Sequence, residues 1–148
     1  MYQLGFIGCG NMGGALVRAA VKSVGGANIA VCDFDQTKAN TLQKECGVFA
    51  TDAATLVANC KFVVLGVKPQ NLQETLQSIA APLANNKDVV VITMAAGASI
   101  ASIRSFSGLD LPVIRIMPNT PVLVEKGMIL YCVSNVSKQD ENAFLAAF

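Results

Sequence analysis

The sequence predicts an α/β fold, a doubly wound and mostly parallel sheet with helices on both faces. Three observations carry this. Short apolar runs alternate with longer segments of helical periodicity along the whole chain, which is the spacing of βαβ units. Apolar residues make up 53% of the chain and charged residues only 14%, as expected for strands buried on both faces or for a surface that something else covers. The first apolar run also leads straight into a glycine-rich turn, Gly8-Cys9-Gly10-Asn11-Met12-Gly13, that opens a helix. A strand, a glycine turn and a helix at the start of such an alternation define the Rossmann-type variant of the class.

The elements follow in order. Leu4 to Ile7 reads as the first strand. Met12 to Ser23 reads as a helix, with Leu16, Ala19 and Ala20 facing the sheet, and Gly25-Gly26 breaks it. Ile29 to Cys32 is the second strand. Thr37 to Cys46 is a helix that Gly47 closes from the C′ position. Val48 to Ala50 is a short third strand, after which Asp52 caps a helix through Ala58. Phe62 to Val67 is a fourth strand of the continuous, doubly buried kind. Pro69 suits the first turn of a helix reaching about Ala80. Val89 to Ile92 is the fifth strand, Ser99 to Ser105 a short helix, Val113 to Met117 the sixth strand and Met128 to Val133 the seventh. Ser137 caps a last helix still running at Phe148. Its apolar end, Ala143 to Phe148, reads as a cut chain or as a helix that docks on a partner.

With 148 residues the chain is one domain, long enough to bury its own core. The formal net charge of +1 offers no basic excess for a phosphate backbone, so nucleic acid is not an expected partner. Histidine is absent, which removes His-dependent triads and His-ligated zinc. The five cysteines, Cys9, Cys32, Cys46, Cys60 and Cys132, form no C-x-x-C pair and read as buried, reduced thiols, with neither a disulfide framework nor a metal site. No basic leader and no long apolar run occur, so the expected setting is the cytoplasm, without a membrane.

The chemistry concentrates at the ends of the strands. Gly8, Gly10 and Gly13 form G-x-G-x-x-G after a strand and before a helix, and Asp33 lies 20 residues past Gly13 at the end of the second strand. That is the setting of a dinucleotide fingerprint. Gly8 permits the tight turn, Gly10 lets the backbone approach a pyrophosphate, and Gly13 lets the helix pack close. The helix N-terminus then offers N–H groups and a positive dipole end. A carboxylate at Asp33 accepts hydrogen bonds from a ribose 2′-OH and repels a 2′-phosphate, so the residues lean towards NAD over NADP. Asp35 is the better cap for the following helix.

The turn Gly66-Val67-Lys68-Pro69-Gln70 lies by the topological switch point. There Lys68 either neutralises phosphate, or approaches the nicotinamide ribose, or is simply solvated. Small residues in Thr93 to Ser99 let the backbone approach a ring or ribose, or make a plain loop capped by Ser99. In Arg115-Ile116-Met117-Pro118-Asn119-Thr120-Pro121 two prolines restrict the backbone around Asn119 and Thr120. Asn119 then either hydrogen-bonds a carboxamide or substrate group, or closes its own turn.

Together these residues resemble pyrroline-5-carboxylate reductases. The likeness runs from Gly5-Phe6-Ile7-Gly8-Cys9-Gly10-Asn11-Met12-Gly13 through Gly66 to Gln70 and Met94-Ala95-Ala96-Gly97. It is sharpest at Arg115 to Pro121, followed by Gly127. The resemblance implies NAD(P)H-dependent reduction of the C=N bond of Δ1-pyrroline-5-carboxylate to L-proline, in proline biosynthesis. It puts cofactor contacts at Ile7, Gly8, Cys9, Gly10, Asn11 and Met12, at Gly66, Val67, Lys68 and Pro69, and at Met94, Ala95 and Ala96, with Asp33 by the adenosine ribose. An asparagine that contacts the ribose in some relatives is replaced near Ala53.

The resemblance further implies a helical domain, absent from this chain, that dimerises and binds the substrate. The complete enzyme is then a homodimer or higher oligomer acting on pyrroline-5-carboxylate. No catalytic side chain is expected in this part, which binds dinucleotide and turns over little by itself. Two other readings are a β-hydroxyacid dehydrogenase cofactor domain of the 6-phosphogluconate type, against which Met117 to Pro121 argues, and a non-enzymatic dinucleotide-sensing module.

Overall fold

The computed structural model of the chain describes residues 1–94, 98–118 and 129–148. Seven strands form one sheet in the order β3-β2-β1-β4-β5-β6-β7. They are β1 (Tyr2–Ile7), β2 (Ile29–Cys32), β3 (Phe49–Ala50), β4 (Cys60–Leu65), β5 (Val90–Thr93), β6 (Val113–Pro118) and β7 (Ile129–Ser134). The helices are α1 (Asn11–Val24), α2 (Gln36–Cys46), α3 (Ala53–Asn59), α4 (Leu72–Ser78), α5 (Ala80–Asn85), α6 (Ile100–Ser107) and α7 (Lys138–Ala147). β1 is an inner strand, with Gly5 paired to Ala30 of β2 on one side and to Val63 of β4 on the other, both parallel. The chain winds outwards from β1 to β3, then crosses to β4 and winds the other way. The strand order therefore reverses between β1 and β4, and this is where a doubly wound sheet opens a crevice.

Alternation along the strands divides the core into two layers. Phe62 and Val64 of β4 face α1, α2 and α7, with Phe6, Leu16, Val17 and Phe144. Val63 and Leu65 face α3 to α6, with Leu56, Leu72, Leu76, Leu83 and Ile103. β4 is thus buried on both faces, as its unbroken apolar run predicts. The capping expectations also hold: Asp35, Asp52, Ser99 and Ser137 each accept a backbone N–H at the start of α2, α3, α6 and α7. Gly47 closes α2 in the left-handed conformation at φ 69°.

Three expectations need correction, and the antiparallel exception in the mostly parallel sheet falls at β7. β4 starts at Cys60 and ends at Leu65, so Gly66 and Val67 lie beyond the strand, in the turn. The helix expected from Pro69 to Ala80 is a short 3-10 turn (Pro69–Asn71), then α4, then a separate α5. Pro82 explains the break: it has no N–H to donate to the carbonyl four residues back, so it sits in the first turn of a new helix instead. β7 runs antiparallel to β6, with Arg115 opposite Cys132. The ten residues between the two strands are fewer than the dozen or so a parallel crossover requires. Finally, the thiols are not uniformly buried: Cys9 and Cys60 are, Cys32 and Cys46 are half-buried, and Cys132 is exposed.

The apolar end of the chain is used within the domain. Phe144 and Ala147 are buried, and Phe144 stacks edge-on with Tyr131 at 5.3 Å while Phe148 meets Phe6 at 6.5 Å. Tyr131 Oη donates to Glu141, and Lys61 pairs with Asp140 at 3.1 Å, so the first turn of α7 is fastened to β7 and β4. Among the described residues no helix is long and apolar enough to cross a membrane.

Candidate functional site

The first strand ends in a knot of backbone. Gly8 has φ +100°, a region that disfavours any side chain. Its N–H donates to the Cys32 carbonyl at 2.8 Å, and the Gly66 N–H donates to the Ile7 carbonyl at 2.7 Å, so the turns after β1, β2 and β4 are tied together. A Cβ on Gly8 would lie 2.5 Å from the Gly66 carbonyl carbon, and a Cβ on Gly13 would run into the Gly8 carbonyl oxygen. A Cβ on Gly66 would come within 2.8 Å of that same oxygen. Three glycines thus let three chain segments touch.

Gly10 is different, because a Cβ there meets nothing within 4 Å. It caps α1 without a side-chain hydrogen bond, and the first helical bond runs from Gly14 N–H to the Gly10 carbonyl. The N–H groups of Asn11, Met12 and Gly13 have no acceptor within the helix. No acidic residue stands in the first turn to offset the positive end of the dipole. An open approach, free donors and a positive field together suit an anion, and a diphosphate in particular.

Asp33 sits beside this turn and helps to hold it. One carboxylate oxygen accepts from Cys9 N–H at 2.6 Å and the other from Asp35 N–H at 2.8 Å. A carboxylate has about four acceptor positions, so two remain for a ribose diol. Asp35 caps α2 through Thr37 N–H at 3.0 Å, the role its position predicts. Cys9 turns its side chain inward, with Sγ 3.4 Å from the Cys32 carbonyl. Burial, with Asp33 nearby, pushes its thiol up to about 12, so it stays protonated and lends the site only its backbone.

A cleft of about 340 Å³ opens between the turns. Of the residues singled out in the sequence, Ile7, Gly8, Gly10, Asp33, Gly66, Val67 and Lys68 line it. Asn11 is exposed on the rim of α1, Met12 and Met94 pack against the core, Gly13 is buried beneath the turn, and Pro69 starts the 3-10 turn after Lys68. Ala95, Ala96 and Asn119 lie outside the described residues. Sequence reading missed Phe34, Lys38, Asn71, Thr75 and Ser78, which also line the cleft. No local pattern singles out Asn71, Thr75 and Ser78, because Gln73, Glu74 and Gln77 make α4 polar all round except at Leu72 and Leu76. Ala53, near which the asparagine is replaced, lies in the wall, where the cleft meets a second groove of about 580 Å³ behind Phe34.

The cleft therefore fits a dinucleotide laid across the strand ends: glycine backbone for the diphosphate, a carboxylate for one ribose, and small residues where chain must come close. Proteins of known kind agree. The family described as NADP oxidoreductase coenzyme F420-dependent matches residues 3–97. A pyrroline-5-carboxylate reductase of Corynebacterium melassecola is 37% identical over 131 residues, covering 86% of this chain and 48% of that protein. A pyrroline-5-carboxylate reductase of Coxiella burnetii superposes with a TM-score of 0.91 at 28% identity, covering 99% of this chain and 55% of that one. A Plasmodium falciparum pyrroline carboxylate reductase with NADP bound gives 0.82 at 25% identity, again over 99% of this chain and 55% of that one. The chain spans about half the length of the curated relatives it matches. With the interlocked glycines, the uncapped α1 and Asp33 in place, the chain belongs to the NADP oxidoreductase coenzyme F420-dependent family, in its pyrroline-5-carboxylate reductase branch, of which it spans the N-terminal NAD(P)-binding domain.

Proposed function

We propose that this chain is the cofactor-binding portion of a pyrroline-5-carboxylate reductase. It holds NAD(P)H for reduction of the C=N bond of Δ1-pyrroline-5-carboxylate to L-proline. The observation that carries this is the contact between Gly8, Gly13 and Gly66 beneath an uncapped helix N-terminus, with Asp33 bonded to the same turn. The N–H groups of α1 hold the diphosphate, and Gly10 leaves the space for it. Asp33 accepts from the adenosine ribose. Backbone at Val67 and the Lys68 side chain flank the middle of the dinucleotide, and Met94, Ala95, Ala96 and Asn119 are assigned further cofactor contacts by the likeness to pyrroline-5-carboxylate reductases.

Bound NAD(P)H supplies the hydride. A protonated cyclic imine is already electrophilic, so the protein's main task is to hold the two reacting carbons at near-attack distance. That explains how these residues serve the reaction without contributing a histidine, and it assigns no catalytic side chain to them. In the complete enzyme, pyrroline-5-carboxylate binds with the help of a further helical domain that also forms the homodimer or higher oligomer.

Asp33 favours NADH over NADPH, because a 2′-phosphate would face its carboxylate. Lys38, in the same cleft, works the other way and moderates that preference. Calorimetric titration with each nucleotide, followed by an assay with pyrroline-5-carboxylate at saturating cofactor, tests the reading. Binding of both, NADH the tighter, with little or no turnover by this chain alone is the expected result. Turnover by this chain alone would place the substrate site within it, and failure of the folded chain to bind either nucleotide would undo the proposal.

A further inference from the structure

The turn from Gly8 to Gly10 needs an anchor from elsewhere in the chain. Glycine loses more freedom than any other residue when it is ordered, and a Cβ on Gly10 would meet nothing within 4 Å, so no packing confines that position. On one side, Gly8 is held to β2 by its N–H, 2.8 Å from the Cys32 carbonyl. On the other, the first bond of α1 runs from Gly14 N–H to the Gly10 carbonyl. Between them, the Cys9 N–H donates to Asp33 Oδ2 at 2.6 Å, across 24 positions of sequence. Asp33 Oδ1 accepts from Asp35 N–H at 2.8 Å, and Asp35 in turn caps α2 through Thr37 N–H. One carboxylate therefore braces the glycine turn against the start of α2. Hydrogen bonds to an ionised acceptor are about twice as strong as neutral ones.

We propose that Asp33 is a positioning residue for the diphosphate. Through the Cys9 N–H it sets the glycine turn in the shape that presents the N–H groups of α1, in addition to its acceptor role towards a ribose. The inference rests on the dinucleotide reading above and concerns the part of the ligand that Asp33 does not touch. For a carboxylate without this task, electrostatics gives the opposite sign. A negative charge beside an anion site repels the anion, so its removal would strengthen the binding of an anion that carries no ribose. Here the charge is engaged by N–H donors from both flanking turns. Its removal frees the turn to sample shapes in which the donors diverge, and ordering them again costs binding energy.

Inorganic pyrophosphate, which has no ribose, separates the two roles. NMR titration at constant ionic strength, read at the amides of Gly10 to Gly13, compares the unsubstituted chain with Asp33→Ala and Asp33→Asn. The expected result is a loss of pyrophosphate affinity of about tenfold in Asp33→Ala, near the lower end of what a hydrogen bond to a charged group contributes. Asp33→Asn loses less, because its amide oxygen still accepts from one N–H. Before any ligand is added, the Cys9 amide of Asp33→Ala shifts upfield. A merely structural role would lower the melting temperature and leave the affinity of the folded variants unchanged. Unchanged or tighter pyrophosphate binding by the folded variants would overturn the inference and leave the dinucleotide reading standing. So would pyrophosphate that moves none of these amides in a chain that binds NADH. If Asp33→Ala does not fold, the sign of the change in Asp33→Asn decides. If the unsubstituted chain does not bind NADH, the dinucleotide reading fails, and the inference falls with it.

Discussion

Two turns face each other across the top of the sheet, and they are built on opposite plans. The turn after β1 is almost all backbone: Gly8, Gly10 and Gly13 supply no side chains, and Cys9 points its thiol into the core. The turn after β4 begins with a glycine, Gly66, but then presents Lys68 and Asn71 outwards into the cleft. The first turn is tied to its neighbours by hydrogen bonds and close contacts that admit no Cβ. The second is held by Pro69 in its 3-10 turn and leaves its polar atoms free to meet a ligand. The comparison teaches where two properties reside. A feature common to every dinucleotide, the diphosphate, is read by backbone. Features that differ between ligands are read by side chains on the surrounding turns and at the end of β2.

Substitutions that respect or violate this division sharpen it. The largest effect is expected from Gly13→Ala. The added methyl meets the Gly8 carbonyl, so α1 must move off the turn. Chemical denaturation should show a loss of about 1–3 kcal/mol, the usual cost of overpacking, together with loss of measurable NADH binding. Gly10→Ala is its counterpart. The space there is open, so stability falls by less than about 1 kcal/mol, yet the methyl stands where the diphosphate must approach and calorimetry should show weakened binding. Equal stability losses for the two variants would break the comparison.

Next in size is Asp33→Asn. The amide keeps one acceptor but loses the charge, so NADH binding weakens about tenfold, as for a lost bond to a charged group. NADPH is affected less, and the ratio of the two dissociation constants narrows. Lys68→Ala has a smaller effect, a few-fold loss of affinity that shrinks further at high salt, because an exposed cation is well screened.

A last effect, confined to pH above 9, is on stability in alkali. Burial pushes the thiols of Cys9 and Cys60 up to about 12 from an ordinary 9.0. The unfolded chain releases these protons from about pH 9, whereas the folded chain holds them until about pH 12. Above pH 9 the folded state therefore binds more protons, and its stability falls as pH rises through that window. Cys60→Ala should have a flatter decline between pH 9 and 12 than the unsubstituted protein in pH-dependent denaturation.

Much of this architecture is legible in the sequence, for reasons that differ from place to place. Gly8 to Gly13 could be read because a tight turn, a close approach and a helix start each demand glycine at one spacing. Asp35, Asp52, Ser99 and Ser137 were legible as caps because their side chains bond within three residues. What escaped depends on distant partners. The end of β4 at Leu65 is set by pairing with Ile7 and Thr93, which no local pattern reveals. The apolar tail of α7 looked like an exposed face because Phe6 and Tyr131, which cover it, are far away in sequence. Phe34 and Lys38 escaped for the same reason, since only the fold brings them to one cleft with Gly66 and Thr75.

The most direct test of the central claim is to map amide chemical-shift changes by NMR as NADH is added to this chain. The account predicts that the largest changes fall at Gly8 to Gly13, at Asp33 and Phe34, and at Gly66 to Lys68, with the outer strand β7 unaffected. Changes that saturate elsewhere, or an unperturbed Gly8 to Gly13 turn at saturating NADH, would contradict it.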